Sequence, residues 1–220
     1  MDKFGLIGHP IAHSLSPRLF TAAYAGKYAY DLIETPDFGE AWERFLSDYK
    51  AINVTAPFKM EAFAKADWAS PECGKIGASN LLVKTSEGIK AYNSDYLGVK
   101  HIIEQRGCSG SAAVIGFGGA GKAAYAAAID CGLDTRLYRH AEIGSGVSAD
   151  LVIYTLPGEV EGCRLIECDT LIEANYKDPC LKGHNGYVPG TEWHLWQAIL
   201  GYSLMTGEQP DAEKMKEIYR

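Results

Sequence analysis

The sequence predicts an α/β protein of two domains with a cleft between them. Two observations carry this. In the first half of the 220 residues, short apolar runs alternate with amphipathic stretches of helical period, the pattern of a mostly parallel sheet with helices on both faces, a three-layer unit. The pattern then starts afresh at VIGFGGAGKAA, Val114–Ala124, where an all-apolar strand ends in a glycine-rich turn and opens an Ala-rich helix. That strand–turn–helix unit is Rossmann-like.

Lys3–Gly8 (KFGLIG) reads as the first strand. Ser16-Pro17 then starts a helix, with Ser16 as N-cap and Pro17 as first helical residue. Tyr30–Thr35 is the second strand and Phe38–Tyr49 a helix with apolar residues at 38, 41, 42, 45, 46 and 49. The third strand, Ala51–Thr55, runs into the segment INVTAPFK at 52–59. Asn53 and Thr55 share a strand face because successive side chains alternate. Pro57 cannot continue a ladder and suits the first turn of a helix Pro57–Ala66, which puts Lys59 at a strand-to-helix corner. Such corners face ligands in α/β sheets. Ser79–Lys84 and Gly88–Tyr92 read as a hairpin, and Asp95–Arg106 as a helix that Asp95 can cap.

In the second unit the strands are Ala112–Gly116, Thr135–Arg139, Leu151–Leu156 and Thr170–Asn175, with a helix over Gly118–Cys131. Glu192–Met205 and Asp211–Tyr219 close the chain as helices, and the indoles of Trp193 and Trp196 and the ring of Tyr202 read as core. The expected domains are 1–100, rejoined by the terminal helices from about 193 to 220, and 101–192, with Cys108-Ser109-Gly110-Ser111 as linker.

Composition excludes several classes. A net charge of −7 opposes a nucleic-acid or anionic-membrane partner. No apolar run reaches a membrane-spanning length, and MDKFGLIGHP is no signal peptide. The six cysteines form no CxxC pair and read as reduced thiols of a cytoplasmic protein. The histidines show no metal-ligand spacing, so no metal is expected.

The glycine turn needs small residues so that helix N-terminal N–H groups can approach a pyrophosphate. Its match to G-x-G-x-x-G reads as partial, with Lys122 in the last position. An acid about 20 residues on would take a ribose 2′-hydroxyl, whereas an arginine suits a 2′-phosphate. The following strand ends in Arg139, with no acid at its tip before Glu142, which favours NADP.

Several motifs together resemble the shikimate dehydrogenase family. Ser14-Leu15-Ser16-Pro17 is similar to its S-x-S-P, INVTAPFK to its N-V-T-x-P-x-K, and Gly77-Ala78-Ser79-Asn80 to its G-A-x-N. Tyr92-Asn93-Ser94-Asp95-Tyr96-Leu97-Gly98 resembles x-N-T-D-x-x-G, with Ser94 for Thr, and Gly116–Ala120 matches G-x-G-G-A. Arg139, Tyr176 and Gln197-Ala198 fall where the family has its arginine, a substrate tyrosine and Q-A. The family's N-R-T is Tyr138-Arg139-His140 here, and the stretch from Arg139 to Leu151 is shorter than the family's, which implies a reduced cofactor domain.

The resemblance implies reversible, NADPH-dependent reduction of 3-dehydroshikimate to shikimate, on the route to chorismate and the aromatic amino acids, by a monomer or homodimer. It implies Lys59 and Asp95 as the catalytic pair and Ser14, Ser16, Thr55, Asn80, Tyr176 and Gln197 as substrate contacts. Gly116, Gly118, Gly119, Ala120, Arg139 and Gly190 are the implied cofactor contacts. A broader quinate/shikimate dehydrogenase, or a metabolite-binding relative without catalysis, is the alternative.

Overall fold

The structure, a computed structural model, describes residues 2–220. The chain forms two compact units: everything up to Ser94 together with Ala198–Arg220, and Asp95–Gln197.

The first unit is built on a six-stranded mixed sheet of order β2-β1-β3-β5-β6-β4. Its strands are β1 (Lys3–Gly8), β2 (Ala29–Glu34), β3 (Ala51–Val54), β4 (Trp68–Ala69), β5 (Leu81–Thr85) and β6 (Gly88–Tyr92). Strands β1, β2 and β3 are parallel, while β5 runs antiparallel to both β3 and β6. Alternation splits β1 between two cores. Ile7 packs with Ile33, Ile52 and Leu82 against Trp42 and Phe45 of helix α2 (Phe38–Asp48) and Ala62 of α3 (Lys59–Lys65). Phe4 faces the other way, onto Phe20 of α1 (Ser16–Ala23), whose ring lies 4.9 Å from that of Tyr202.

Local chemistry corrects several helix starts. Leu15 already has helical dihedrals and occupies the N-cap position, so Ser16 is the first helical residue and makes no side-chain cap. The peptide Ala56–Pro57 is cis, Phe58 N–H closes a turn onto Thr55 O at 3.0 Å, and α3 begins at Lys59 rather than at Pro57. Helix α4 (Pro71–Ile76), absent from the sequence reading, carries Pro71 in its first turn and ends on Gly77 at φ 71°. Helix α5 (Ser94–Gln105) starts one residue before Asp95, which therefore lies in its first turn and is not its cap.

The second unit holds a five-stranded sheet of order β13-β12-β10-β7-β8, all parallel. The members are β7 (Ser111–Ile115), β8 (Asp134–Tyr138), β10 (Leu151–Tyr154), β12 (Thr170–Glu173) and β13 (Tyr187–Val188). Strands β9 (Val147–Ser148) and β11 (Ile166–Glu167) pair separately. Helix α6 (Gly119–Asp130) buries Ala123, Ala124, Ala127 and Ala128, small residues that let it lie close to the sheet. The opposite face is covered by short segments that include β9 and β11 and carry Ile143, Val147, Cys163, Ile166 and Leu181. Helices α7 (Gly190–Thr206) and α8 (Ala212–Glu217) end the chain, with Asp211 capping α8 by accepting Lys214 N–H. Among the described residues no helix is long and apolar enough to cross a membrane, and no cluster of His, Cys, Asp or Glu could hold a metal ion.

Candidate active site

In the first unit, strand direction gathers the predicted residues at one sheet edge. Parallel β1 and β3 both end there; antiparallel β5 begins there and β6 ends there. The loop after β1 brings Ser14 and Ser16, the end of β3 brings Thr55 and Lys59, the residue before β5 is Asn80, and β6 leads to Ser94. Gly8 is required here because a Cβ on it would collide with the Thr55 methyl and Ile11. Ser14 Oγ donates to Ser16 Oγ at 3.1 Å and accepts Ser16 N–H at 3.2 Å, which fixes the two hydroxyls as a pair.

A run of hydrogen bonds ties the lysine corner to α5. Ser79 N–H donates to Lys59 O at 2.9 Å. Asn80, buried at 6% exposure, accepts Ser94 N–H at 2.6 Å and the Ser94 hydroxyl at 3.2 Å through its carboxamide oxygen. An orphan N–H of the first turn of α5 is thus satisfied by a side chain from another strand. The residue next along that helix is Asp95. Asn53, on the same strand face as Thr55, accepts the hydroxyl of Tyr30 at 2.8 Å. Behind it, Tyr202 OH donates to Ser16 O at 3.2 Å. Burial holds both tyrosines well above the usual phenol range, so they stay neutral donors.

In the second unit a small pocket is lined by Asp95, Ala120, Ala174, Tyr176, Gly190, Trp193, His194 and Gln197. Five of these were expected from sequence: Asp95, Ala120, Tyr176, Gly190 and Gln197. Gly190 is glycine because a Cβ would press on Glu173 O at 2.7 Å and Ala174 O at 2.6 Å. Trp193, read from sequence as core, is indeed buried but also lines the pocket, and its indole N–H donates to Asp95 O at 2.8 Å. Sequence reasoning missed His194. Its ring stacks on Tyr176 with centroids 4.4 Å apart and planes at 11°. Burial, offset in part by Asp95, pushes its pKa down to about 4, so it is neutral at pH 7. Gln197 Oε1 is buried with no hydrogen-bond partner, an open acceptor whose desolvation costs roughly 1–3 kcal/mol unless a ligand donates to it.

The glycine turn sits where strand order reverses: β8 lies on one side of β7 and β10 on the other, the point at which open α/β sheets bind ligands. Its register needs correction. Gly121, not Lys122, is the last position of a complete Gly116-x-Gly118-x-x-Gly121. A Cβ on Gly121 would collide with Gly116 O, whereas Gly118 faces open space. These are the two requirements of the motif, close helix–strand packing and an approachable backbone. Gly116 has φ 113°, and a side chain there would collide with Thr155 Oγ1, itself bonded to Ile115 O at 2.8 Å. The exposed ring of Phe117 lies under both Lys122 Nζ, at 5.5 Å, and the Arg139 guanidinium, at 5.7 Å. Open backbone plus two cations is a donor set that fits a phosphorylated dinucleotide.

Fold and residues together define a class: a two-unit α/β oxidoreductase of the dinucleotide-binding kind. A family model described as the shikimate dehydrogenase substrate binding domain matches residues 6–82. A shikimate dehydrogenase (NADP(+)) from one strain of Thermus thermophilus is 34% identical, the match covering 100% of this chain and 98% of the relative. The chain belongs to the shikimate dehydrogenase family. That alignment runs over 262 positions against 220 residues here, so the relative carries segments this chain lacks. The crystal structure of shikimate 5-dehydrogenase from a second Thermus thermophilus strain, in complex with NADP(H) and shikimate, matches with a TM-score of 0.87 at 25% identity, covering 100% of this chain and 99% of that one. Mycobacterium tuberculosis shikimate dehydrogenase matches at 0.85 and 25%, covering 100% and 98%.

Proposed function

We propose that this chain catalyses the reversible, NADPH-dependent reduction of 3-dehydroshikimate to shikimate in the cytoplasm. The observation that carries the reading is the hydrogen-bonded run from Lys59 through Ser79 and Asn80 to Ser94, which fixes the lysine corner and the start of the Asp95 helix in a member of this family. The nicotinamide, when bound, would supply or take the hydride; Gly116, Gly118, Gly119, Ala120 and Gly190 would hold the cofactor, and Arg139 would attract its 2′-phosphate.

The chain's own residues manage charge and orientation. Reduction of a carbonyl builds negative charge on its oxygen, which needs a proton and a nearby cation. Lys59 provides both, as a compact charge with three donors. Asp95 accepts hydrogen bonds from a substrate hydroxyl and orients it. The Ser14–Ser16 pair and Tyr176 bind the carboxylate through neutral hydroxyls. Thr55 and the amide nitrogen of Asn80 contact ring hydroxyls, and a third ring hydroxyl donates to the open acceptor Gln197 Oε1. Supplying shikimate with NADP and recording reduced cofactor tests the reading; absence of turnover with both NADP and NAD would end it, and quinate in place of shikimate measures breadth.

A further inference from the structure

The tip of β8 carries two opposed charges. Arg139 directly follows the strand, in an extended conformation, with its guanidinium over the Phe117 ring. Glu142 folds back onto it: Glu142 Oε2 accepts Arg139 N–H at 2.6 Å while Glu142 N–H donates to Arg139 O at 2.9 Å. The carboxylate is held at the strand tip although the sequence puts it three residues beyond. Counted from Gly121, Glu142 lies at the spacing of about 20 residues at which an acid receives a ribose 2′-hydroxyl.

A 2′-phosphate brings nearly two negative charges at neutral pH. At this tip it meets an arginine that attracts it, a carboxylate that repels it, and a backbone N–H already taken by that carboxylate. A free 2′-hydroxyl meets no repulsion and can donate to Glu142. We infer that Glu142 is a cofactor-selectivity residue, opposing the 2′-phosphate that Arg139 attracts and accepting the 2′-hydroxyl of the unphosphorylated nucleotide, so that the discrimination between the two nicotinamide cofactors is narrow. The inference rests on the dehydrogenase reading for the identity of the ligand. Glu142 and Arg139 are both exposed, so the effect is modest and sensitive to salt.

The test is calorimetric titration of the whole chain with adenosine 2′,5′-bisphosphate and with adenosine 5′-monophosphate, which differ in the 2′-phosphate alone. Glu142→Gln keeps a carbonyl acceptor at Arg139 N–H while removing the charge. It is expected to tighten the bisphosphate about fivefold, to weaken the monophosphate slightly, and to lose most of its effect at high salt. Arg139→Gln is expected to weaken the bisphosphate and to leave the monophosphate unchanged. Equal shifts for both nucleotides, or none, in Glu142→Gln would reduce Glu142 to a structural cap and overturn the inference. Binding of neither nucleotide by the unaltered chain would overturn the cofactor reading, and the inference with it.

Discussion

The carboxamide oxygen of Asn80 holds both the backbone N–H and the hydroxyl of Ser94, at 2.6 and 3.2 Å. Asn80→Leu removes that acceptor from a buried position and leaves the start of α5 unsatisfied. It is expected to cost about 1–3 kcal/mol in urea unfolding and to lower kcat, because the helix start that it fixes carries Asp95. Asn80→Asp retains an acceptor oxygen and is expected to recover much of the stability; equal losses in the two variants would show that the bond to Ser94 is not what matters.

Lys59→Ala is expected to lower kcat by about 10²–10⁴-fold, the range for a positioned proton donor, with a modest change in KM and an unaltered melting curve. Steady-state kinetics in the direction of shikimate oxidation reads this directly. A kcat within a few-fold of the parent would remove Lys59 from the chemistry.

Two glycines of one motif separate packing from binding. Gly121→Ala pushes a methyl into Gly116 O and is expected to destabilise by about 1–3 kcal/mol. Gly118→Ala points into open space and is expected to leave thermal unfolding unchanged while weakening nucleotide binding in a titration. Loss of stability in both, or in neither, would contradict the corrected register.

His194 gives the site an acid limb. Its folded pKa of about 4 lies below its usual value, with burial as the main cause. Between about pH 6.5 and 4 the unfolded chain therefore binds a proton that the folded chain refuses. Stability falls as pH drops through that window, by up to about 3 kcal/mol, and levels off below it. His194→Phe keeps an aromatic ring against Tyr176 and cannot titrate, so its urea midpoint is expected to vary less over the window; an identical pH profile would exclude His194 as the source.

Much of this was legible in the sequence. Strand–helix alternation placed the two sheets, and the S-x-S-P, N-V-T-x-P-x-K and glycine-turn segments fell at carboxyl ends of strands. What spacing could not show is pairing across the chain. Asn80 reads as a ligand contact, yet its oxygen is committed to Ser94, fourteen positions on. Glu142 reads as lying beyond the strand tip, and only a folded side chain returns it to Arg139. His194 precedes the Gln197-Ala198 pair by three residues, but nothing in that spacing announces its stack on Tyr176, a residue outside α7. Gly121 is different: the complete glycine spacing is written in the sequence, and a register one residue too long ends on Lys122.

The end position of β8 in its sheet also bears on how the chain avoids its own kind. A terminal strand offers its outward backbone groups to any other extended segment, which is the usual seed of aggregation. Here Asp134 and Arg136 are exposed along that strand, and Arg136 lies over the Tyr138 ring at 4.6 Å. Another strand laid alongside would have to strip water from both charges and cover a ring already occupied. The last strand of the sheet is thus a border, and the charges on β8 act as its fence.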